Sequence, residues 1–247
     1  MATNTVPTLV AHRGYPARYP ENTLIGIQAS VEAGARWFEF DVQLSKDRVP
    51  FLCHDASLKR TAGLDRQIME LTAAELATVD VGEPGRFGAR YAGTPPTPLA
   101  ALIAWLTQQA EVKAFVEIKR QSLHHFGSDV VVERVMQDVG PALGQCVIIS
   151  FDAACLAAAR ARGARSIGWA LRDAGAAAVA TAAELKPDYL FAGDELFPEA
   201  YAALKGAWRW AVYEVQDPAY ARRLGTGGAD MVETDAIAEM LAALGAP

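Results

Sequence analysis

Cysteine is scarce in this chain. Cys53, Cys146 and Cys155 are the only three in 247 residues. An odd number with no knuckle or C-x-x-C spacing excludes a disulfide framework and a cysteine-built metal site. Cys53 and Cys146 stand in apolar runs and read as small core residues of a protein kept in a reduced compartment. No stretch approaches the ~20 consecutive apolar residues of a membrane span. No basic run or stripe occurs, and the net charge is −6, so a nucleic-acid partner is not expected. The opening residues have neither a basic n-region nor an apolar core, so no signal peptide is expected and the expected location is cytoplasmic. Nothing in the sequence sets an oligomeric state.

What the chain does have is alternation. Short apolar runs recur at 9–11, 37–42, 49–53, 114–118, 146–150, 166–171, 189–192, 208–215 and 231–233. Most are separated by Ala- and Leu-rich stretches with helical spacing, such as 153–162 and 175–185. Strand–helix alternation over a whole chain predicts a parallel sheet with helices outside.

Nine runs are one too many for an eight-stranded barrel. The link at 43–48 resolves the count. A parallel return needs a crossover of about a dozen residues, whereas an antiparallel return needs only a turn. The run at 49–53 is therefore expected to return antiparallel, turning near Lys46-Asp47. With Ser45 opposite Arg48, Glu39 falls opposite His54. The expected fold is a single (β/α)8 TIM-type barrel over residues 1–247, with a β-hairpin and an inserted segment after the second strand. That insertion, at about 55–98, is rich in glycine and proline and is expected to lie over the mouth. Inside it, 72–78 reads as a short helix with Thr72 as N-cap and Glu75 at N3.

Ionisable residues gather at the ends of the predicted strands, where barrel chemistry is placed. The first strand ends in His12-Arg13-Gly14. The second ends in Glu39-Phe40-Asp41, two carboxylates on one face. Sharing a dry interior, they need a cation: a divalent ion held by oxygen ligands, or an arginine such as Arg13. The fourth run ends in Glu117-Ile118-Lys119, again an ionisable pair on one face, readable as part of a site or as a simple salt bridge. His54-Asp55 closes the hairpin, where Asp55 either orients the imidazole or caps the next segment. Two histidines, a divalent metal and two basic residues describe a phosphoryl-transfer site. His124-His125 read as solvated loop side chains, Asn22 as the N-cap of the first helix, and Trp105, Trp169 and Trp208 as packing residues.

The motifs His12-Arg13-Gly14, Pro20-Glu21-Asn22-Thr23, Glu39-Phe40-Asp41-Val42 and His54-Asp55-x-x-Leu58-x-Arg60-Thr61 resemble those of the glycerophosphodiester phosphodiesterase family. Glu117-Ile118-Lys119, Ser150-Phe151 and Thr234-Asp235 continue the match in order. The resemblance implies hydrolysis of a glycerophosphodiester to glycerol 3-phosphate and an alcohol. It carries Glu39, Asp41 and Glu117 over as ligands of a divalent metal, Mg²⁺ or Ca²⁺. It carries His12 and His54 over as the acid/base pair, and Arg13 and Lys119 as substrate-binding, phosphate-side residues. It also implies attack of the glycerol 2-hydroxyl on phosphorus and a cyclic phosphate that water opens. The chain departs from the family pattern at Tyr213-Glu214-Val215-Gln216 and at Glu233, where an apolar residue is usual. These positions are expected to touch substrate recognition, with Glu214 either favouring a cationic headgroup or serving as a paired structural charge. Two rivals remain: lysophospholipase D-type hydrolysis on the same site, which calls for a wide apolar groove at the mouth, and a non-catalytic ligand-binding barrel, which calls for a broken catalytic set.

Overall fold

The computed structural model describes residues 6–245; the reading of the opening residues as free of a signal peptide falls partly on residues 1–5, outside the described residues. Nine strands form one sheet: β1 (Thr8–Ala11), β2 (Trp37–Leu44), β3 (Pro50–Leu52), β4 (Lys113–Ile118), β5 (Cys146–Ser150), β6 (Ile167–Ala170), β7 (Tyr189–Gly193), β8 (Arg209–Tyr213) and β9 (Met231–Thr234). Eight of them run parallel in the order β1-β9-β8-β7-β6-β5-β4-β2, and the β1–β2 pairing at Ala11 and Phe38 closes the barrel. Helices cover the outside. Among the described residues no helix is long and apolar enough to cross a membrane, and all three cysteines are free.

Every residue of β2 is buried. A barrel strand is covered on both faces, so its period-two alternation sorts side chains between two cores. Phe38, Phe40, Val42 and Leu44 pack outward under the helices. Trp37 points inward with Val10, Phe115, Ile149, Phe191, Ala211 and Met231. These inner residues form an aromatic floor in which the Phe115 ring lies 4.8 Å from that of Trp37 and 4.9 Å from that of Phe191. Gly168 of β6 belongs to this layer, because a Cβ there would stand 2.7 Å from the Phe191 ring and 2.8 Å from Ile149. Burying each large ring contributes on the order of 2–3 kcal/mol, and the floor closes the barrel to water from below.

β3 returns antiparallel on the part of β2 that extends past the closure point, as the short link requires. The expected register is corrected by one residue. Val42 faces Leu52 and Leu44 faces Pro50, and the Cys53 N–H donates to the Asp41 carbonyl at 2.9 Å, so Glu39 and His54 are not partners. The loop holds three residues rather than two. Arg48 takes φ 64° and its N–H donates to the Ser45 carbonyl, while the Ser45 N–H donates to Val49. This is a three-residue hairpin loop ending in a left-handed residue. Arginine is not the residue that marks such a position in a sequence.

The stretch after β3 carries short helices around a small core of Phe51, Leu58, Ile68, Leu71 and Leu76. Thr72 caps the helix Ala73–Leu76 with the expected reciprocal Glu75 box. The Leu52 N–H donates to the Thr97 carbonyl, tying the end of the stretch to β3.

Candidate active site

Two residues above the floor, the same inward parity delivers ionisable side chains. Val10 is followed by His12, Trp37 by Glu39 and Asp41, Phe115 by Glu117, and Met231 by Glu233. β1 ends abruptly here. Arg13 takes φ 50° and Gly14 φ 90°, and a Cβ on Gly14 would press within 2.8 Å of the Ile27 nitrogen, so the turn requires glycine. The turn swings the Arg13 guanidinium under the mouth, with Nε 3.2 Å from Asp41 and Nη1 3.4 Å from Glu21. The Arg13 backbone N–H donates to Glu39 Oε2 at 3.3 Å.

Asp41 is the anchor. Lys119 Nζ lies 3.1 Å away. Asn22 donates to its carboxylate at 2.9 Å and accepts its N–H at 3.0 Å. Burial alone would raise the Asp41 pKa, but Lys119 and Arg13 outweigh burial and hold it well below the ordinary carboxylate range. Asn22 is therefore not a helix cap. Thr23 caps the helix Leu24–Glu32, and Asn22, at φ 52°, is turned inward to grip Asp41.

Glu39 and Glu117 behave in the opposite way. Burial, then the charge of Asp41, pushes both carboxyls up, Glu39 strongly. Lys119 Nζ reaches Glu117 at 2.9 Å, while Glu39 Oε1 is buried with no hydrogen-bond partner. One carboxylate oxygen from each of Glu39, Asp41 and Glu117 lies within 4.8 Å of the others. Among the described residues, these three and Glu233 face two fixed cations, Arg13 and Lys119. An all-oxygen donor set, an orphaned buried oxygen and excess negative charge fit a hard divalent cation.

Each histidine is backed by an aspartate. His12 Nδ1 lies 2.8 Å from Asp235 and its Nε2 3.9 Å from Glu39. Burial would lower the His12 pKa, but the Asp235 hydrogen bond and the charge of Glu233 raise it above 6.5. His54 Nδ1 lies 2.7 Å from Asp55. Asp55 in turn accepts from Arg60 Nε at 2.7 Å, and Arg60 grips Glu21 with both terminal nitrogens at 2.6 and 2.7 Å. The Gln43 side chain holds the His54 carbonyl at 2.9 Å. In both imidazoles Nδ1 is engaged by carboxylate, which leaves Nε2 for other partners.

His12, Arg13, Glu39, His54, Glu117 and Lys119 line one cleft of about 460 Å³, and Asp41 is buried beside it. Phe151, Phe191 and Tyr213 form an aromatic wall of the same cleft. A wider space of about 1140 Å³ shares His12, Arg13 and Glu214 with it, and continues past Arg60, Arg86 and Gln216. All seven residues expected from the sequence thus converge. His124 and His125 do not: they are exposed on the helix Arg120–Phe126, not in a loop. Trp169 and Trp210 are buried, and Trp105 and Trp208 pack against the outer core.

Sequence reasoning assigned no role to Asp235, and expected Gln216 and Glu233 to touch substrate recognition. Gln216 holds the histidine support as well as lining the wider space: its Oε1 accepts from Thr234 Oγ1 at 2.9 Å and from the Asp235 N–H at 3.1 Å. Glu233 is buried inside the cleft, its carboxyl pushed up to about 7 by burial against the opposing pull of His12. The Met231–Glu233 spacing carried that signal, since two residues on from a floor residue the chain points inward. Glu214 is exposed, at φ 66°, and among the described residues it makes no ion pair, so it is not a paired structural charge.

Residues 12–239 match the family model of the "Glycerophosphoryl diester phosphodiesterase family". The chain belongs to this family. A stretch of 58 residues, 24% of this chain and 9% of the relative, is 53% identical to glycerophosphodiester phosphodiesterase domain-containing protein 4 of Macaca fascicularis. A stretch of 132 residues, 53% of this chain, is 29% identical to a glycerophosphodiester phosphodiesterase of Bacillus altitudinis and covers 51% of it. In these matches the chain spans about half or less of the relative's length. Among solved structures, an Oleispira antarctica phosphodiesterase in complex with its product sn-glycerol-3-phosphate superposes with a TM-score of 0.85 at 23% identity, covering 99% of both chains. That likeness confirms the barrel.

Proposed function

We propose that the protein hydrolyses glycerophosphodiesters to glycerol 3-phosphate and an alcohol, with Mg²⁺ or Ca²⁺ held by Glu39, Asp41 and Glu117. The observation that carries this reading is the pairing of two aspartate-backed imidazoles with a three-carboxylate cluster in one cleft. When bound, the cation would polarise the phosphoryl oxygens and offset the charge that builds on them.

The chain's own residues divide the rest. Arg13 and Lys119 bring positive charge to the phosphate. His54 takes the proton of the glycerol 2-hydroxyl as its oxygen bonds to phosphorus. His12 borders both spaces, so it gives its proton to the alcohol oxygen as that P–O bond breaks and the alcohol leaves through the wider space. Its raised pKa suits an acid. Water then opens the cyclic phosphate with the roles reversed: His12 takes the water proton and His54 returns one to the 2-oxygen. The aromatic floor keeps bulk water from the groups that hold charge.

The wider space at the mouth is lined by Arg13, Glu21, Arg60, Arg86 and Glu214, not by the apolar groove that the lysophospholipid reading calls for. The catalytic set is complete, against the binding-only reading. The three free cysteines support a cytoplasmic setting. The test is a panel of glycerophosphodiesters, each with Mg²⁺, Ca²⁺ or Mn²⁺, coupled to glycerol 3-phosphate detection. Release of glycerol 3-phosphate is expected, and a folded His12→Ala variant should lose it. No release under any combination, or an undiminished His12→Ala variant, overturns the reading.

A further inference from the structure

Glu233 differs from the other buried carboxylates of the site. Glu39 accepts the Arg13 N–H, Asp41 is gripped by Asn22 and Lys119, and Glu117 is paired with Lys119. The Glu233 side chain has neither a hydrogen bond nor an ion pair among the described residues, and its Oε1 is buried with no donor. The residue is only 3% exposed. A buried acceptor left unmet is destabilising, more so when charged.

Its placement is fixed on all sides. β9 pairs with β1 so that Glu233 stands beside Val10. Its carbonyl accepts the Val215 N–H at 2.9 Å. Met231, two residues below, is embedded in the aromatic floor. The side chain therefore rises from the floor into the cleft, where it meets the same space as His12. The two fixed cations nearby are already committed, Arg13 and Lys119 serving Asp41, Glu21 and Glu117, and neither His12 nor Tyr213, which line the same cleft, bonds Glu233. The carboxylates close enough to share a cation are Glu39, Asp41 and Glu117, without Glu233. The missing donor has to arrive with whatever enters the cleft.

In its ionised form the carboxylate only accepts, so it selects an O–H or N–H group. On the reading given above, the substrate offers two hydroxyls, and the 2-hydroxyl hands its proton to His54. The terminal glycerol hydroxyl is the donor that remains. We propose that Glu233 accepts a hydrogen bond from the terminal hydroxyl of the substrate glycerol and so determines specificity for an unacylated glycerol. A lysophospholipid acylated at that oxygen has no donor there and sets ester oxygens against the carboxylate. The inference rests on the glycerophosphodiesterase reading and adds to it the reason a free glycerol is required.

The test compares kcat/KM for glycerophosphocholine, its terminal-deoxy analogue (the propane-1,2-diol phosphocholine diester) and lysophosphatidylcholine. Sites built to bond a hydroxyl reject analogues that lack it, often by 10⁴ or more. The wild-type protein is expected to prefer glycerophosphocholine over the deoxy analogue by at least ~100-fold. In Glu233→Leu that ratio should fall below about ten, while Glu233→Gln, whose amide oxygen still accepts, should keep most of it. Equal wild-type rates on glycerophosphocholine and the deoxy analogue overturn the proposal without any variant and leave the glycerophosphodiesterase reading standing. A Glu233→Leu ratio unchanged from wild type overturns it as well. If Glu233→Gln weakens by tenfold the thermal stabilisation of substrate-free protein by Mg²⁺ or Ca²⁺, the carboxylate is a metal ligand and the proposal fails. Absence of any hydrolysis overturns the functional reading and this inference with it.

Discussion

Nδ1 of His12 and Oδ1 of Asp235 lie 2.8 Å apart, although 223 positions separate them in the chain. Gln216 holds the Asp235 backbone from the neighbouring strand end. The pair fixes the imidazole so that Nε2 faces the acidic cluster.

Asp235→Asn is expected to lower kcat about 10–100-fold, within the range of acid–base contributions. The Asp235 hydrogen bond is one of the forces that raise the His12 pKa. Without it the imidazolium gives up its proton at lower pH, so the alkaline limb of the kcat/KM profile should move to lower pH. An unmoved limb at normal thermal stability would show that Asp235 does not act through His12.

Metal-free protein should be an acid-preferring fold. Folded Glu233 titrates at about 7 against an ordinary 4.5, and Glu39 and Glu117 are also raised. For carboxyls raised in the folded state, stability falls as pH climbs from the ordinary value towards the folded one. In chelator, the denaturation midpoint should therefore drop between about pH 4.5 and pH 7. Saturating Mg²⁺ or Ca²⁺ should flatten that slope and add about 2.7 kcal/mol at a hundredfold excess over Kd. A midpoint indifferent to divalent ions at pH 8 would remove Glu39, Asp41 and Glu117 as a cation site.

Asn22→Ala should destabilise the protein by about 2–4 kcal/mol in urea titration. Alanine strains at φ 52° and leaves the buried Asp41 oxygen and N–H without partners. Asn22→Gly keeps the backbone and loses only the bonds, so it should cost less. Equal losses for the two variants would mean that the backbone conformation contributes nothing.

Gly168→Ala tests the floor. The added methyl has no space between Phe191 and Ile149, and overpacking of this kind costs about 1–3 kcal/mol. The floor lies beneath Glu117 and His12, so a drop in kcat should accompany the lower melting temperature. A variant as stable and active as wild type would show that the layer yields freely.

Arg60→Lys should behave more like Arg60→Ala than like wild type. The guanidinium serves Glu21 through two nitrogens and Asp55 through a third, and an ammonium cannot reproduce that fork. Loss of activity with His54 intact is the expected reading in both variants; full activity in Arg60→Lys would reduce the contact to simple charge.

Much of this was legible in the chain. Period-two alternation placed Glu39 and Asp41 above Trp37, and Glu117 above Phe115, because the pleat repeats every two residues wherever the strand goes. The short link after β2 was enough to turn β3 antiparallel, since chain length bounds which returns are possible. Thr72 and Glu75 announced their helix because a capping box closes within four residues. These are local properties, carried by the residues themselves. The hairpin register slipped by one because Arg48 occupies a left-handed conformation that its side chain does not advertise. Asn22 reads as a cap until Asp41 is seen facing it. The His12–Asp235 pair, the Gln216 support and the isolation of Glu233 exist only once β1 is bonded to both β2 and β9. Closing the barrel brings the ends of β1 and β9 to one rim, and which charges find partners there depends on that closure rather than on any neighbour in sequence.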